Sequence, residues 1–209
     1  MNIIFGRTTL GRIKMLKNGK KLKTGTARSA KECAYLAVFV ALVIAAQVVL
    51  SAVPGVELVT VLFVAYAYVY GCGRGMTAAT AFALLRQLVF GFYPTVLVLY
   101  LIYYNLLTLS FGLLGRAKKP PQSILLWIVL FACLGTVCFS LIDNILTPLW
   151  YGYSKKAARL YFTASLPFMI PQTINCAISV SLLFMPLYRV FLATKRTLVG
   201  ARRPFSTER

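Results

Sequence analysis

This chain has few side chains that could carry out acid–base or metal chemistry. It contains no histidine and only four acidic residues among 209, so a histidine-based catalytic triad, a histidine-ligated metal site and a carboxylate-rich metal cage are excluded. The five cysteines include no Cys-x-x-Cys pair, and no glycine-rich phosphate loop of the Walker type is present. We therefore expect no catalytic residue, no metal, no cofactor and no ATPase activity in this chain.

The remaining candidates are polar and aromatic side chains that lie within or beside apolar stretches. Ionisable groups at membrane depth cost several kcal/mol unless they are paired or hydrated, so they usually face a bundle interior or a cavity. The candidate ligand-binding residues map to one half of the predicted membrane domain: Glu57, Arg86, Tyr93, Tyr100, Tyr104, Asn105, Asp143, Asn144, Gln172 and Asn175.

These residues allow two interpretations. Arg86 is expected to pair with Asp143, with Glu57 as the alternative partner, and such a pair could simply pin helices together. Alternatively, polar residues from several helices converge on one level and line a cavity. Aromatic rings with a few placed polar groups suit a small, flat organic molecule with polar edges.

The elements that position these residues are predicted membrane helices. Apolar residues make up 59% of the chain, more than a soluble domain of this size could bury. About 20 apolar residues cross a hydrocarbon core of ~30 Å, and the sequence divides into six such stretches, of which the second and third are short enough to form a re-entrant pair instead. The predicted spans are 34–53, 58–70, 76–92, 95–114, 123–149 and 166–192.

The distribution of basic residues predicts the orientation of these spans. Of the 23 lysines and arginines, nine precede the first span, one lies in the second gap, three in the fourth gap and six at the C-terminal end. With a cytoplasmic N-terminus these 19 lie inside and only three lie outside, as the positive-inside rule requires. The sequence therefore predicts an all-α, six-helix integral membrane bundle with both termini cytoplasmic.

Three regions follow from this topology. Residues 1–31 form a basic cytoplasmic segment, 32–192 form the membrane domain, and 193–209 form a basic cytoplasmic tail. The net charge of +19 is explained by topology, so no nucleic-acid partner is expected. The long fifth gap, 150–165, mixes aromatic and basic residues and is predicted to lie along the outer interface, either as a lid or as a connector.

A ladder of small residues marks the first span. Ala37, Ala41 and Ala45 recur at a spacing of four, which stacks them on one helix face and allows another helix to approach closely. That other helix could belong to a partner or to this protein's own bundle.

Taken in order along the chain, several segments resemble the substrate-binding S components of energy-coupling factor (ECF) transporters. The matching segments are the run from Pro54 through Glu57 to Thr60, the turns at 86–94 and 113–116, and Leu166-Pro167-Phe168 followed by Asn175. Many members have a glycine and a histidine in the last segment, where this chain has Ser165 and Pro171.

The resemblance implies a multi-pass subunit of a prokaryotic cell membrane that captures a vitamin or other small organic micronutrient outside and releases it inside by toppling. It also implies that the alanine ladder docks on a scaffold membrane subunit, and that two cytoplasmic ATPases of an energy-coupling module supply the power. The alternative is a membrane structural or assembly protein without a transported ligand. A membrane enzyme is disfavoured by the lack of histidine and the scarcity of acids.

Overall fold

The computed structural model describes residues 30–50, 58–117 and 120–200, with side chains described up to residue 197. Glu57 and the greater part of both predicted cytoplasmic segments lie outside these residues. The chain divides into two units, Met1–Val38 and Phe39–Arg209. The described residues of the first unit are helical. All contacts discussed below lie within the second unit.

The described residues form six helices, joined by turns, and no strands. This confirms the all-α prediction for that part of the chain. Their bounds are Ala30–Leu50 (α1), Leu58–Tyr70 (α2), Cys72–Phe90 (α3), Pro94–Arg116 (α4), Leu125–Trp150 (α5) and Lys155–Gly200 (α6).

Four of these helices, α1, α4, α5 and α6, are long and apolar enough to cross a membrane. Helix α2 has 13 residues, about 20 Å at 1.5 Å per residue, and is shorter than a hydrocarbon core. The structure is thus compatible with a membrane bundle, while six crossings and cytoplasmic termini stay predictions.

The short helix α2 lies at the centre of the second unit. Every residue from Val59 to Val69 is buried. A helix that is apolar on all sides is buried on all sides, and α2 packs against α3, α4 and α6. Its aromatic side chains contact those neighbours, with the Phe63 ring 4.8 Å from Tyr104 and Tyr68 5.7 Å from Phe184.

The chain reverses direction between α2 and α3 at one glycine. Gly71 has φ +87°, a left-handed conformation that glycine adopts without strain. A Cβ at Gly75 would lie 3.3 Å from the Cβ of Ala67, and the rings of Phe63 and Phe82 are 5.3 Å apart. Helix α3 therefore folds back along α2, which places Arg86 far from this turn.

Helix α4 approaches the backbone of α2 and α3 closely at two glycines. A Cβ at Gly115 would lie 2.2 Å from the carbonyl oxygen of Tyr68, and one at Gly112 would lie 2.5 Å from the amide nitrogen of Cys72. Backbone atoms occupy the space that a side chain would need, so these glycines fix the position of α4. That position sets where Tyr100 and Asn105 meet α3.

Helices α5 and α6 form an antiparallel hairpin joined by residues 151–154. The non-helical connection is shorter than the predicted gap at 150–165, because α6 already begins at Lys155. The Ser154 hydroxyl accepts a hydrogen bond from the Ala157 amide at 3.3 Å, as an N-cap does, and no helix breaker follows until Pro167. Residues 155–165 are the first turns of α6 and not a loop, while their place at the outer interface stays a prediction.

Candidate functional site

Arg86 is the centre of a contact group between α1, α3 and α4 that we call the arginine cluster: Gln47, Arg86, Phe90 and Tyr100. The Arg86 Nε–H donates to Gln47 Oε1 at 3.1 Å, and Gln47 Nε2 donates to the Tyr100 hydroxyl at 3.2 Å. The guanidinium carbon lies 4.7 Å from the Phe90 ring centroid and 4.6 Å from that of Tyr100. Two ring faces and one amide thus stabilise the cation.

The arginine cluster leaves part of the guanidinium without a partner. Arg86 Nη1 is buried and has no hydrogen bond within the part of the chain that the structure describes. A buried donor without an acceptor costs roughly 1–3 kcal/mol, and more when it is charged. The geometry therefore leaves a charged donor that an oxygen from a bound molecule or from water can satisfy.

The neighbouring residue, Gln87, ties the start of α4 to α3. Its Oε1 accepts the backbone N–H of Tyr93 at 3.0 Å, which holds the turn between the two helices. The Gln87 side chain is only 7% exposed, and its Nε2 has no partner among the described residues. Tyr93 itself is 55% exposed, so the structure places its ring at the rim rather than in the cluster.

Asp143 lies in a different helix pair. Its two carboxylate oxygens accept hydrogen bonds from the Thr147 hydroxyl at 2.8 Å and from the Tyr161 hydroxyl at 2.9 Å. Thr147 is one turn further along α5, and Tyr161 comes from the first turns of α6. Neutral hydroxyl groups thus satisfy this carboxylate.

The expected ion pair between Arg86 and Asp143 is not formed. No described residue places a carboxylate within ion-pair distance of Arg86, whose polar partner is Gln47. The reason lies in the pairing of helices, because α3 packs mainly against α4 and α5 packs mainly against α6. Pairing with Glu57 lies outside the described residues.

The other candidates on α5 and α6 also serve that helix pair. Asn144 Nδ2 donates to Ser165 Oγ at 2.7 Å, and the Ser140 hydroxyl donates to Gln172 Oε1 at 3.4 Å. Asn144 is 7% exposed, and its Oδ1 is, after Arg86 Nη1 and Gln87 Nε2, a third buried polar atom that no described residue satisfies. Asn175 is half-buried on α6.

On α3 and α4, Asn105 and Thr80 exchange hydrogen bonds. Asn105 Nδ2 donates to Thr80 Oγ1 at 3.3 Å and to the Leu101 carbonyl at 2.7 Å. Tyr104 is buried, with its ring 5.2 Å from Tyr100 and 5.3 Å from Phe82. Tyr104 and Asn105 lie about one turn along α4 from Tyr100, the residue that contacts Arg86.

The candidates therefore divide between two groups. One surrounds Arg86 on α1, α3 and α4, and the other joins α5 to α6. Aromatic contact links them, since the Tyr100 ring lies 5.9 Å from Phe139, the residue before Ser140. Two clefts lie in other parts of the bundle, one between α4 and α5 beside Leu107 and Phe131, and one beside Arg74 and Lys195. None of the ten predicted residues lines either cleft.

Several contact residues were missed by the sequence analysis. Gln47 is the one amide in an otherwise apolar first span, and that isolation was a usable signal. Tyr161 and Ser165 are four residues apart, a spacing that puts both on one helix face once 155–165 is recognised as helical. Phe90 carried no comparable signal.

The alanine ladder of α1 lies on an exposed face. Ala37, Ala41 and Ala45 are all exposed, whereas Phe39, Val40 and Val43 on the same helix are buried. The alternative in which the ladder packs inside this protein's own bundle is therefore wrong for Ala41 and Ala45.

No protein-family model matches the chain, and neither a curated protein nor a solved structure is similar to it.

Proposed function

We propose that this protein is the solute-binding membrane subunit of an ECF-type importer for a vitamin or another small organic micronutrient. The observation that carries the proposal is Arg86, a half-buried arginine whose Nη1 is buried without an acceptor among the described residues. A charge in this position is costly, and residues of this kind typically mark a solute or ion pathway. A bound molecule with an oxygen acceptor would supply the missing partner.

The arginine cluster also suggests the chemistry of the solute. Arginine offers a planar fork of donors that matches a carboxylate or a carbonyl group. The Tyr100 and Phe90 rings beside it are suited to a flat, unsaturated molecule. We therefore expect a ligand that combines a planar ring with a carboxylate or carbonyl oxygen.

The exposed alanine ladder supports the scaffold-docking part of the proposal. Ala41 and Ala45 present small side chains on the outer face of α1, where a helix of a scaffold subunit can approach closely. The energising module with its two cytoplasmic ATPases enters by resemblance, and it is consistent with the lack of a nucleotide-binding loop in this chain.

The docking proposal is tested by Ala41→Leu. The larger side chain should block close helix approach, so co-purification with scaffold and ATPase subunits should be lost while ligand binding is unchanged. Ala164→Leu is the matched control, because it makes the same change at an exposed alanine of α6. Equal recovery of the scaffold with both variants would show that the alanine ladder does not dock on it.

A second candidate function has specific support. The hydrogen bonds of Asn105 with Thr80, and of Asn144 with Ser165, join helices in pairs and need no ligand. A membrane structural or assembly protein would use polar side chains in this way. The two functions are separated by purifying the chain from a native-like host and analysing co-eluting small molecules and proteins, because only the importer subunit should carry a micronutrient or the energising module.

A further inference from the structure

A cleft at the opposite end of the bundle from Arg86 gathers basic side chains from three helices. It has a volume of ≈ 410 Å³ and lies where the C-terminal ends of α2 and α4 meet the start of α3 and the last turns of α6. Arg74 of α3, Arg116 of α4 and Lys195 of α6 line it, together with Tyr70 and Gly115. None of the ligand-binding candidates of the importer lies in this cleft.

Lys195 is held in place at the wall of the cleft. Its ammonium donates to the carbonyl oxygen of Val69, in the last turn of α2, and lies 6.0 Å from the Tyr70 ring centroid. An ammonium has three N–H donors, and the bond to Val69 uses one of them. The side chain is half-buried, so its charge is fixed in position rather than spread over a mobile surface chain.

The other basic side chains reinforce this charge. Arg116 is exposed at the C-terminal end of α4 and makes no hydrogen bond to a described residue. The Arg74 guanidinium lies 6.0 Å from the same Tyr70 ring as Lys195. The lining includes no acidic residue. A recess lined by charges of one sign concentrates their field and thereby attracts an anion.

We infer that this cleft binds a phosphate group. Arginine and lysine donors around a recess match the several oxygens of a phosphate mono- or diester, with Arg116 as a fork of donors and Lys195 as a fixed point charge. A cleft of this volume falls within the range of small-ligand sites and admits a headgroup-sized molecule. The inference is independent of the proposed importer function, since it concerns the other end of the bundle.

Two sources could present such a phosphate. The predicted topology puts Arg74, Arg116 and Lys195 at the cytoplasmic membrane surface, where anionic lipids supply phosphodiester headgroups. A soluble phosphorylated molecule in the cytoplasm carries the same chemistry. A lipid brings acyl chains that lie against the bundle, whereas a soluble molecule binds through its phosphate and polar groups alone. Lipids and water-soluble phosphates can therefore be tested separately.

The test uses the full-length protein in non-ionic detergent and native mass spectrometry. One arm titrates dioleoylphosphatidylglycerol against dioleoylphosphatidylcholine, and the other follows inorganic phosphate and glycerol 3-phosphate by phosphorus NMR. Lys195→Gln and Arg116→Gln should each weaken phosphate-group binding about fivefold, and the double variant about 25-fold, because each variant removes one basic side chain from the cleft. Raising the salt to 1 M should weaken binding by the unmodified protein.

A matched control removes the same net charge elsewhere. Arg159 and Arg189 are exposed on α6 and do not line the cleft, so Arg159→Gln combined with Arg189→Gln should change binding less than threefold. Lys195→Arg keeps the positive charge, so this variant should bind the phosphate group as the unmodified protein does. Because Arg116 is exposed, Arg116→Gln keeps the test valid if the Lys195 variant folds poorly.

The arms give distinct outcomes. Selective retention of phosphatidylglycerol, lost in the double variant, assigns the site to a lipid headgroup. Binding of inorganic phosphate or glycerol 3-phosphate with the same loss assigns it to a soluble phosphate. No preference for phosphatidylglycerol together with no phosphate binding would overturn the inference, as would an equal loss in the control double variant.

Discussion

Arg86 on α3 and Asp143 on α5 are opposite charges that lie inside predicted spans, and their surroundings differ. Asp143 accepts hydrogen bonds on both oxygens, from Thr147 and Tyr161. Arg86 donates through Nε to Gln47 and faces two aromatic rings, while its Nη1 has no acceptor among the described residues. The Asp143 carboxylate is satisfied by hydrogen bonds within the α5–α6 pair. The Arg86 guanidinium still has a donor without an acceptor.

This difference teaches that an ionisable residue in a span is not by itself evidence of a ligand site. The satisfied carboxylate is explained by helix pairing alone, because two hydroxyl donors meet both of its oxygens. The arginine is explained only in part, since aromatic faces stabilise its charge but accept no conventional hydrogen bond. The partner missing from Arg86 is therefore the stronger indication of function.

The largest expected effect concerns the packing that positions the arginine cluster. Gly115→Ala would drive a Cβ to 2.2 Å from the Tyr68 carbonyl oxygen, and backbone on both sides cannot yield easily. We expect a loss of about 3 kcal/mol of stability or failure to fold, measured by thermal unfolding and by gel filtration in detergent.

Gly135→Ala is the control for this change. Its Cβ would lie 3.2 Å from Leu107 Cδ1, the end of a flexible side chain, so the effect on stability should be small. Equal tolerance of both alanines would show that α4 does not pack against α2 as closely as described, and the position of Tyr100 beside Arg86 would then be in error.

The next effect is on ligand binding. Arg86→Gln removes the charged donors while keeping a polar side chain, so affinity for the proposed micronutrient should fall about 10- to 100-fold, the worth of one hydrogen bond to a charged group. Binding can be measured by thermal shift across a panel of carboxylate-bearing vitamins. Arg159→Gln, at an exposed site on α6, should leave affinity unchanged.

Asp143→Asn should act on stability and not on binding. The asparagine keeps one acceptor, and its amide can donate to a hydroxyl oxygen, so we expect a loss of about 1 kcal/mol in the free energy of unfolding and less than a twofold change in affinity. A loss of affinity as large as that of Arg86→Gln would contradict the distinction between the two charges.

Asn175→Ala should have the smallest effect. The side chain is half-buried on α6, and no hydrogen bond joins it to another described residue, so affinity should change less than twofold and stability should not change. A larger loss, measured with the same ligand panel, would extend the binding site from α3 and α4 onto α6.

Much of the fold could be predicted from the sequence, because span length and apolar composition are strong signals. The helices begin or end near the predicted limits for α2, α4 and α5. The start of α6 could not be placed by hydropathy, since Lys155 and Lys156 are polar and the residues that decide the matter are the cap at Ser154 and the absence of a breaker before Pro167.

The site was harder to predict than the helices, because hydropathy does not say which helices pair. Matching charges by depth alone favoured Arg86 with Asp143, but the Gly71 turn and the close approach at Gly112 pair α3 with α4. Gln47 supplies the acceptor that depth matching assigned to a carboxylate. Matching by charge thus favoured Asp143 as the partner of Arg86 and overlooked the neutral amide of Gln47.

The most direct test of the account asks whether Arg86 holds a small molecule. The protein and its Arg86→Gln variant, purified in parallel from a native-like host, are denatured and the released compounds identified by mass spectrometry. The account predicts a planar compound with a carboxylate or carbonyl group at near-stoichiometric amount in the unmodified protein and its loss from the variant. The same compound in equal amount from both proteins, or no such compound from either in repeated preparations, would contradict it.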